Sequence, residues 1–433
     1  MHIELNTLHT LKIIYPLFFT DIVEKKKITV INNLCGKTYL RQIKKSNIIY
    51  REKGATYMIY LDYASATPVD KEVLEIYNET SNKYYANPNS IHPLGIKSKE
   101  KLDDTTKEIA HLLNVQKEEL IYTSGATESN NLVIKGIAKR YKNYGKHILL
   151  SSLEHQSLIA PATKLQEQGF EVELIPVDSK GRVDLEELKY LLRDDTILVS
   201  VTSVDSELGI IQPINEIRTL LKEYKHCIFH TDASQAIGKI DLNLENADLV
   251  TIAPHKFYGL NGTGLLIKKK GIELSPIIDG GRSTTVYRSG TPVLPEITAL
   301  YKALQIALNN QKERTEYVEK LNSILIEKLK SYKNIHINSN EYSIKNIVNI
   351  SISGIKSTEF VDYMGKNNIC ISAKTSCCPV ETPSKLVYAL TKSKELSTTS
   401  LRISLSHLTT KEEIDEFIKI FDKGYREFLN GKI

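Results

Sequence analysis

The repeated alternation of strand-length apolar runs with helical stretches constrains the fold of this chain more than any other feature. Strands are predicted at 119–123, 147–151, 171–176, 197–202, 228–232 and 249–253. Helices are predicted at 100–113, 128–141, 158–168 and 214–224. This pattern predicts an α/β fold with a largely parallel sheet covered on both faces, which binds ligands beyond the carboxyl ends of its strands.

A second, smaller α/β domain is predicted at the C-terminal end of the 433-residue chain. A long helical stretch runs from Pro295 to about Tyr332, and a strand at 346–352 and a helix at 411–428 follow it. We therefore predict an extension at 1–57, a large domain at 58–315 and a small domain at 316–433, with which residues 58–75 can also pack.

The extension differs from the rest of the chain in its charge. Residues 1–57 hold ten Lys or Arg and four Asp or Glu, whereas the remainder is close to neutral, so the basic excess gives no support for direct nucleic-acid binding.

The longest apolar run of the extension, at 13–19, is too short for a membrane span. The extension fits neither a secretory nor a mitochondrial targeting sequence. It is either dispensable, with Met58 as the working start, or a small accessory segment.

Composition narrows the class of protein further. Hydrophobic residues make up 41% of the chain and charged residues 25%, which is ordinary for a globular protein and excludes collagen-like and wholly disordered chains. The five cysteines form no disulfide framework and no CxxC pair. They indicate reduced thiols and a cytoplasmic location, although the extension leaves an organelle open. We predict no membrane contact and no metal site.

Four short motifs lie at predicted strand ends, where a ligand site is expected. The segment 123–128 (TSGATE) joins a strand to a helix, and its small residues suit a phosphate held by backbone N–H groups. His155 and Asp232 lie at the ends of two other strands. Lys256 precedes a glycine-rich turn, and partial burial there would lower its pKa and suit it for a Schiff base. Each motif alone is also compatible with a structural role, such as a helix N-cap or a satisfied buried group.

Together these motifs match the needs of pyridoxal 5'-phosphate. This cofactor requires a phosphate cradle, an acid beside its ring nitrogen, a group that stacks on the ring and an amine that binds it covalently. Asp232 would keep the ring nitrogen protonated, so that the ring acts as an electron sink. Lys256 would hold the cofactor as an imine and later move the α-proton.

The chain also resembles a known family over residues 58–433. The matching segments, in the family's order and spacing, are 61–64, 87–92, 123–130, 154–155, 232–235, 255–259 and 288–291. They resemble the cysteine desulfurases of the NifS/IscS type, which are class V aminotransferase relatives. The resemblance implies the fold-type I architecture of pyridoxal phosphate enzymes, with a mainly parallel seven-stranded sheet in the large domain and a smaller α/β C-terminal domain.

Carried over position by position, the resemblance implies which residues hold the cofactor and the substrate. Phosphate contacts are implied for Ala126, Thr127, His255 and, from the neighbouring subunit of a homodimer, Thr291. Contacts to the ring or its substituents are implied for His155, which also takes part in proton transfer, and for Ser206, Asp232, Gln235 and Lys256. In the small domain, Arg402 would clamp the substrate carboxylate, a task that suits the paired N–H groups of arginine.

The resemblance further implies a nucleophilic cysteine on a loop of the small domain. Counting forward from the start of this loop places Cys377 at that position, whereas counting back from its end places Ser376 there. We take Cys377 as the nucleophile and keep Cys378 as a resolving or substitute thiol. Lys374 would lower the thiol pKa by its charge, unless it is simply a solvated loop lysine.

Three departures from the family pattern bear on cofactor binding. Ser206 stands where an Asn usually contacts the phenolic oxygen, and Ala253 stands where a Ser usually donates to the phosphate. The segment 280–285 lacks one glycine of the usual motif. Each lost hydrogen bond costs on the order of 1 kcal/mol, so these departures would weaken cofactor binding or change the reaction.

The sequence therefore predicts a homodimeric cysteine desulfurase dependent on pyridoxal phosphate. L-cysteine would yield L-alanine and a persulfide on Cys377, whose sulfur passes to an acceptor protein in iron–sulfur cluster assembly or tRNA thiolation. One alternative is another class V enzyme, such as a selenocysteine lyase or a small-amino-acid aminotransferase, for which Cys377 is dispensable. The other is a weakly active subunit that carries sulfur or binds a partner.

Overall fold

The computed structural model describes residues 57–281, 284–375 and 382–431. Residues 1–56 of the predicted extension, and the two candidate thiols Cys377 and Cys378, lie outside the described residues. Within the described ranges no helix has both the length and the apolar composition needed to cross a membrane. Those same ranges contain no cluster of His, Cys, Asp and Glu that would hold a metal ion.

The predicted alternation of strands and helices is confirmed. The strands of the described residues are β1 (Ile59–Tyr60), β2 (Leu120–Thr123), β3 (His147–Ser151), β4 (Glu171–Ile175), β5 (Thr196–Ser200), β6 (Ile228–Asp232), β7 (Leu249–Ile252), β8 (Gly264–Lys268), β9 (Ile335–Ile337), β10 (Ile347–Ile352), β11 (Ile369–Cys370) and β12 (Ser400–Ser404). The helices are α1 (Lys71–Lys83), α2 (Pro93–Leu112), α3 (Ala126–Tyr141), α4 (Gln156–Gln166), α5 (Leu185–Leu191), α6 (Ile214–Leu221), α7 (Leu294–Asn309), α8 (Gln311–Leu329), α9 (Ser357–Lys366), α10 (Lys385–Thr391), α11 (Lys394–Thr398) and α12 (Lys411–Leu429).

The central sheet has seven strands in the order β2-β8-β7-β6-β5-β3-β4. Strands β3 to β7 pair in parallel, and β8 runs antiparallel to both of its neighbours, β2 and β7. The mainly parallel seven-stranded sheet is therefore confirmed. No strand is predicted at β8 from the sequence, because only three apolar residues stand between Gly264 and Lys268.

Alternate side chains of the sheet enter two hydrophobic cores. Leu149, Phe229 and Val250 belong to a buried cluster that includes residues of α1, α2, α6 and α7. Ile148 and Leu266 belong to a second cluster, which includes residues of α3 and α4. Both faces of the sheet are therefore covered by helices, and the carboxyl ends of the parallel strands form an edge where polar residues collect.

The C-terminal elements have a hydrophobic core of their own. Strands β9, β10 and β12 form an antiparallel sheet with β10 in the middle. Strand β1 pairs in parallel with β11, and Ile59 and Leu61 are buried in the same cluster as Val348 and Phe417. The first described residues thus pack with the last elements of the chain. The domain boundary predicted after Thr315 falls inside α8, and its position stays a prediction.

The helical stretch predicted from Pro295 to about Tyr332 consists of two helices. Asn310 separates α7 from α8, because its backbone leaves the helical conformation at φ −103° and ψ 5°. Its backbone N–H still bonds to the carbonyl of Ile306. The cap therefore ends α7 in a hydrogen-bonded turn, and α8 begins at the next residue.

Candidate active site

Polar side chains from separate strands meet at the carboxyl edge of the central sheet. Asp232 is the last residue of β6, His155 is the N-cap of α4 after β3, and Lys256 lies in a short turn after β7. The charges of Asp232 and Lys256 both act on the His155 ring. The structure therefore brings these three predicted residues into one site.

Asp232 is held by neutral hydrogen-bond donors. Its Oδ2 accepts from Asn130 Nδ2 at 2.9 Å, and its Oδ1 accepts from the backbone N–H of Ser234 at 3.0 Å. The side chain of Asn130 also donates to Ser157 Oγ at 2.9 Å. Neutral donors of this kind satisfy a buried carboxylate without an ion pair, so that it can still pair with a cationic ligand group, such as a protonated ring nitrogen.

The same hydrogen-bond chain reaches His155. Ser157 Oγ lies 2.8 Å from His155 Nδ1, which also accepts from the backbone N–H of Ser157 at 3.1 Å. With Nδ1 accepting, we assign the proton of the neutral ring to Nε2. Burial lowers the pKa of His155, while the Asp232 carboxylate opposes this effect. A neutral imidazole in this position can stack on a ring and exchange a proton.

Lys256 is aimed at the segment that follows β1. Its Nζ donates to the carbonyls of Ala64 at 2.9 Å and Ser65 at 2.6 Å. Two residues later, Tyr258 has a left-handed backbone with φ +69°, which is uncommon for a residue with a bulky side chain. The Tyr258 N–H donates to Thr67 Oγ1 at 2.7 Å. This contact stabilises the turn that orients Lys256.

Gln235 contacts the same segment, and a second lysine fixes its orientation. Its Nε2 donates to the Ala64 carbonyl at 2.8 Å, and its Oε1 accepts from Lys239 Nζ at 2.7 Å. Removal of the Lys239 amine from water, together with the charges of Lys256 and Arg402, lowers the pKa of Lys239 to about 7. Because Lys239 occupies the amide oxygen, Gln235 faces the site as a donor.

The predicted phosphate cradle is the start of α3. Gly125 is the N-cap with φ +150°, and Ala126 and Thr127 are the first residues of this 16-residue helix. The first N–H groups of a helix have no intrahelical partner and favour anions. Gly264 of β8 makes room for the turn, because a Cβ there would lie 2.6 Å from the Gly125 backbone.

His255 supplies a ring nitrogen that could bind a ligand. Its Nδ1 is buried and has no hydrogen-bond partner among the described residues. Burial and the neighbouring Lys256 charge lower the pKa of His255 to about 4. An orphaned buried nitrogen is costly in a protein interior and indicates a missing ligand group. The open helix N-terminus, the free His255 nitrogen, the Asp232 carboxylate and the Lys256 amine together fit pyridoxal phosphate.

A salt bridge joins the cradle to the segment that contains Thr291. Glu128, in the first turn of α3, accepts from Arg288 Nε at 2.9 Å and from the Ser124 N–H at 2.8 Å. These donors hold the pKa of Glu128 below its ordinary value against the opposing effect of burial. Thr291 is exposed, and its predicted contact across a dimer stays a prediction.

Arg402, on β12, is among the most deeply buried charged residues described. Its side chain is 1% exposed. Nη2 donates to Asp62 Oδ1 at 2.7 Å and to Ser65 Oγ at 2.6 Å, while Nη1 donates to the Ser206 carbonyl at 2.7 Å. The backbone of Ser206 thus contacts the arginine. The predicted contact of its side chain with a cofactor stays a prediction.

A buried carboxylate joins the two ends of the segment that carries Cys377. Glu207 is 1% exposed, and its Oε1 accepts from the N–H and the hydroxyl of Thr375 at 2.9 and 2.8 Å. Its Oε2 accepts from the hydroxyl of Ser384. Lys374 is buried and donates to the carbonyl and hydroxyl of Thr382, so it is not the solvated lysine that the sequence left as an alternative.

Several residues of this site were not singled out from the sequence. Three of them, Asn130, Lys239 and Asp62, contact predicted site residues. Glu207 instead contacts residues on both sides of the segment that carries Cys377. Asn130 and Asp62 do fall within segments that resemble the family. Their partners lie 102 and 340 positions away in the chain, a separation that no local pattern reveals.

Comparison with known proteins identifies the family. The model of the class V aminotransferases matches residues 59–417. A NifS/IcsS protein homolog of Lactobacillus delbrueckii is 36% identical over 377 residues, which cover 86% of this chain and 98% of that protein. Cysteine desulfurase IscS 1 of Archaeoglobus fulgidus is 36% identical over 367 residues, covering 84% and 96%. A solved NifS-like protein superposes with a TM-score of 0.79 at 31% identity, covering 85% of this chain and 98% of its own.

The chain therefore belongs to the class V aminotransferase family and, within it, to the cysteine desulfurases of the NifS/IscS type, which are enzymes dependent on pyridoxal phosphate. This result confirms the resemblance read from the sequence and the cofactor predicted from the four motifs. The relatives favour a desulfurase over the other class V activities and over an inactive subunit.

Proposed function

We propose that this chain transfers sulfur from L-cysteine to Cys377 as a persulfide and releases L-alanine. The observation that carries the proposal is the convergence of Lys256, Asp232, His155 and Arg402 in one site of a chain that belongs to the desulfurases. The four groups match the needs of an amino-acid substrate, because the site offers an amine, a ring partner, a proton carrier and a carboxylate clamp.

Each group has a separate task in this proposal. When bound, pyridoxal phosphate supplies the electron sink that stabilises negative charge on substrate carbon. Asp232 pairs with its ring nitrogen, and Ala126, Thr127 and His255 hold its phosphate. Lys256 removes the α-proton, and His155 assists this step as a hydrogen-bond donor from Nε2.

Sulfur transfer needs no external oxidant. The Cys377 thiolate attacks the substrate sulfur, so that an S–S bond forms while the Cβ–S bond of the substrate breaks. The electron pair of the broken bond stays with the carbon, which takes a proton, and the product leaves as L-alanine. Arg402 holds the carboxylate throughout by charge-assisted hydrogen bonds.

The release of sulfide and alanine from L-cysteine, in the presence of reductant, tests the reaction and its nucleophile. We expect both products from the wild type and from Cys378→Ala, but neither from Cys377→Ala. Loss in Cys378→Ala alone would assign the nucleophile to the second thiol. A wild-type holoenzyme that releases neither product would overturn the desulfurase proposal.

We further propose that the enzyme is a cytoplasmic homodimer. Exposed Thr291 would reach the phosphate of the neighbouring subunit, and apolar side chains are exposed near the start of α2, with Ile91 94% and Leu94 46% accessible. Such exposed apolar residues are typical of an interface between copies. Light scattering should give the mass of two chains. The sulfur acceptor would be an iron–sulfur scaffold or a tRNA-thiolation protein.

A further inference from the structure

The guanidinium of Arg402 already holds a carboxylate of its own chain. Asp62 Oδ1 lies 2.7 Å from Nη2, whose other partner is the hydroxyl of Ser65 at 2.6 Å. The third acceptor is the Ser206 carbonyl at Nη1. Nε is buried and has no hydrogen-bond partner among the described residues.

This arrangement leaves no complete edge for a second carboxylate. A guanidinium binds a carboxylate through two parallel N–H groups, either from Nη1 and Nη2 or from Nε and Nη2. Both edges include Nη2, and both hydrogens of Nη2 are engaged by Asp62 and Ser65. A substrate carboxylate can therefore bind through two N–H groups only if one of these acceptors moves away.

The charges of the site explain why the chain provides such a carboxylate. Arg402 is almost completely buried, and a buried cation without a counter-ion is costly. Lys256 and Lys239 lie near enough for their charges to interact, and the charge of Arg402 also acts on Lys239. Asp62 is 17% exposed, so its carboxylate can turn to water when another anion takes its place.

We propose that Asp62 is an internal counter-ion of Arg402 that an incoming amino-acid carboxylate must displace. Asp62 then sets the affinity of the site for carboxylates and eases the departure of L-alanine. The segment after β1 has a second such contact, because the carbonyls of Ala64 and Ser65 hold the Lys256 amine. The inference rests on the proposed role of Arg402 as the carboxylate clamp.

The test compares L-alanine with ethylamine, which is the same molecule without its carboxylate. Binding of each to the holoenzyme is followed by the visible absorbance of the cofactor, without turnover. In Asp62→Asn, which keeps an acceptor oxygen but loses the charge, we expect L-alanine to bind about tenfold tighter and ethylamine to bind as in the wild type. If Asp62 has a purely structural role, Asp62→Asn should weaken the binding of both ligands.

The variants separate this inference from the proposed function. If Arg402→Ala binds L-alanine as tightly as the wild type, Arg402 is not the clamp and both proposals about it fail. If Arg402→Ala weakens the binding of L-alanine, Arg402 is the clamp. In that case only the role of Asp62 is wrong if Asp62→Asn leaves the binding of L-alanine unchanged, weakens it, or tightens the binding of ethylamine by the same factor. Should Asp62→Asn not fold, Ser65→Ala frees the other Nη2 hydrogen. This variant must then bind L-alanine more tightly relative to ethylamine than the wild type does. An unchanged ratio of the two affinities would overturn the inference.

Discussion

Two carboxylates at the edge of the sheet are hydrogen-bonded by neutral groups. Asp232 accepts from an amide and a backbone N–H, and Asp205 accepts from the N–H groups of Glu207, Leu208 and Ile210. Within the part of the chain that the structure describes, neither carboxylate forms a salt bridge with a lysine of the site. These two carboxylates therefore rely on neutral donors, unlike Asp62, which pairs with Arg402.

Asn130 and Asn131 offer a matched test of this arrangement. Asn130→Ala leaves Asp232 Oδ2 without its side-chain donor, and we expect the free energy of unfolding to fall by about 1–3 kcal/mol. Asn131 lies next to it on α3, and its amide donates to the Thr127 carbonyl within the same helix. Asn131→Ala should change the free energy by less than about 0.5 kcal/mol. Urea unfolding of the holoenzymes measures both, and equal effects would contradict this account of Asp232.

Glu154 gives the stability of the protein a defined pH dependence. Burial and the charges of Asp232 and Asp205 raise the pKa of Glu154 to about 8, despite opposing hydrogen bonds from Ser151 and the Thr202 N–H. The native state therefore binds a proton that the unfolded state has lost above its ordinary pKa. The stabilisation from this group is complete below about pH 4.5 and is lost as the pH rises to about 8.

Glu154→Gln removes this dependence while keeping the shape of the side chain. The wild type loses unfolding free energy from this group between pH 5 and pH 8, whereas the variant does not. The free energy of the variant minus that of the wild type should therefore be at least about 1 kcal/mol larger at pH 8 than at pH 5. Urea unfolding at the two pH values measures the difference. A difference that does not change with pH would show that Glu154 titrates normally.

At the scale of elements, two short connections position groups of the site. Glu207, after β5, bonds residues on both sides of the segment 376–381. We expect Glu207→Gln to slow the release of sulfide about tenfold, because misplacement of a reacting group lowers the rate. L-alanine should still bind as in the wild type. A variant that loses both properties would indicate general disruption of the site instead.

The other connection is the turn between β2 and α3. In Gly264→Ala the new Cβ would lie 2.5 Å from Thr123 Oγ1 and 2.6 Å from the Gly125 backbone, so the phosphate cradle must shift. We expect the affinity for pyridoxal phosphate to fall at least about tenfold, as measured by equilibrium dialysis. Gly365→Ala is the control, because a Cβ there meets nothing within 4 Å. Unchanged affinity in Gly264→Ala would contradict the placement of the phosphate.

Elements and site residues differ in how far the sequence predicts them. Five parallel strands were predictable because each is an apolar run between polar turns, and Asp232 and Lys256 stand out as polar residues at the ends of such runs. Strand β8 has too few apolar residues to be recognised alone. Asp62 and Glu207 act through partners that only the folded chain brings near, so their roles follow from tertiary structure.

At the scale of the whole molecule, residues 62–65 connect the two hydrophobic cores that contribute to the site. Leu61 is buried with the C-terminal elements, whereas Ala64 belongs to the core of the central sheet. The same residues contact Lys256, Gln235 and Arg402. The amine-binding and carboxylate-binding parts of the site are therefore held at a fixed separation by one short segment.

The most direct test of the central claim is the mass of the intact protein after one turnover of L-cysteine without reductant. We predict the addition of one sulfur atom, located on Cys377 by peptide mapping and absent from both Cys377→Ala and Lys256→Ala. A wild-type holoenzyme that gains no sulfur, or gains it equally in Lys256→Ala, would contradict the account.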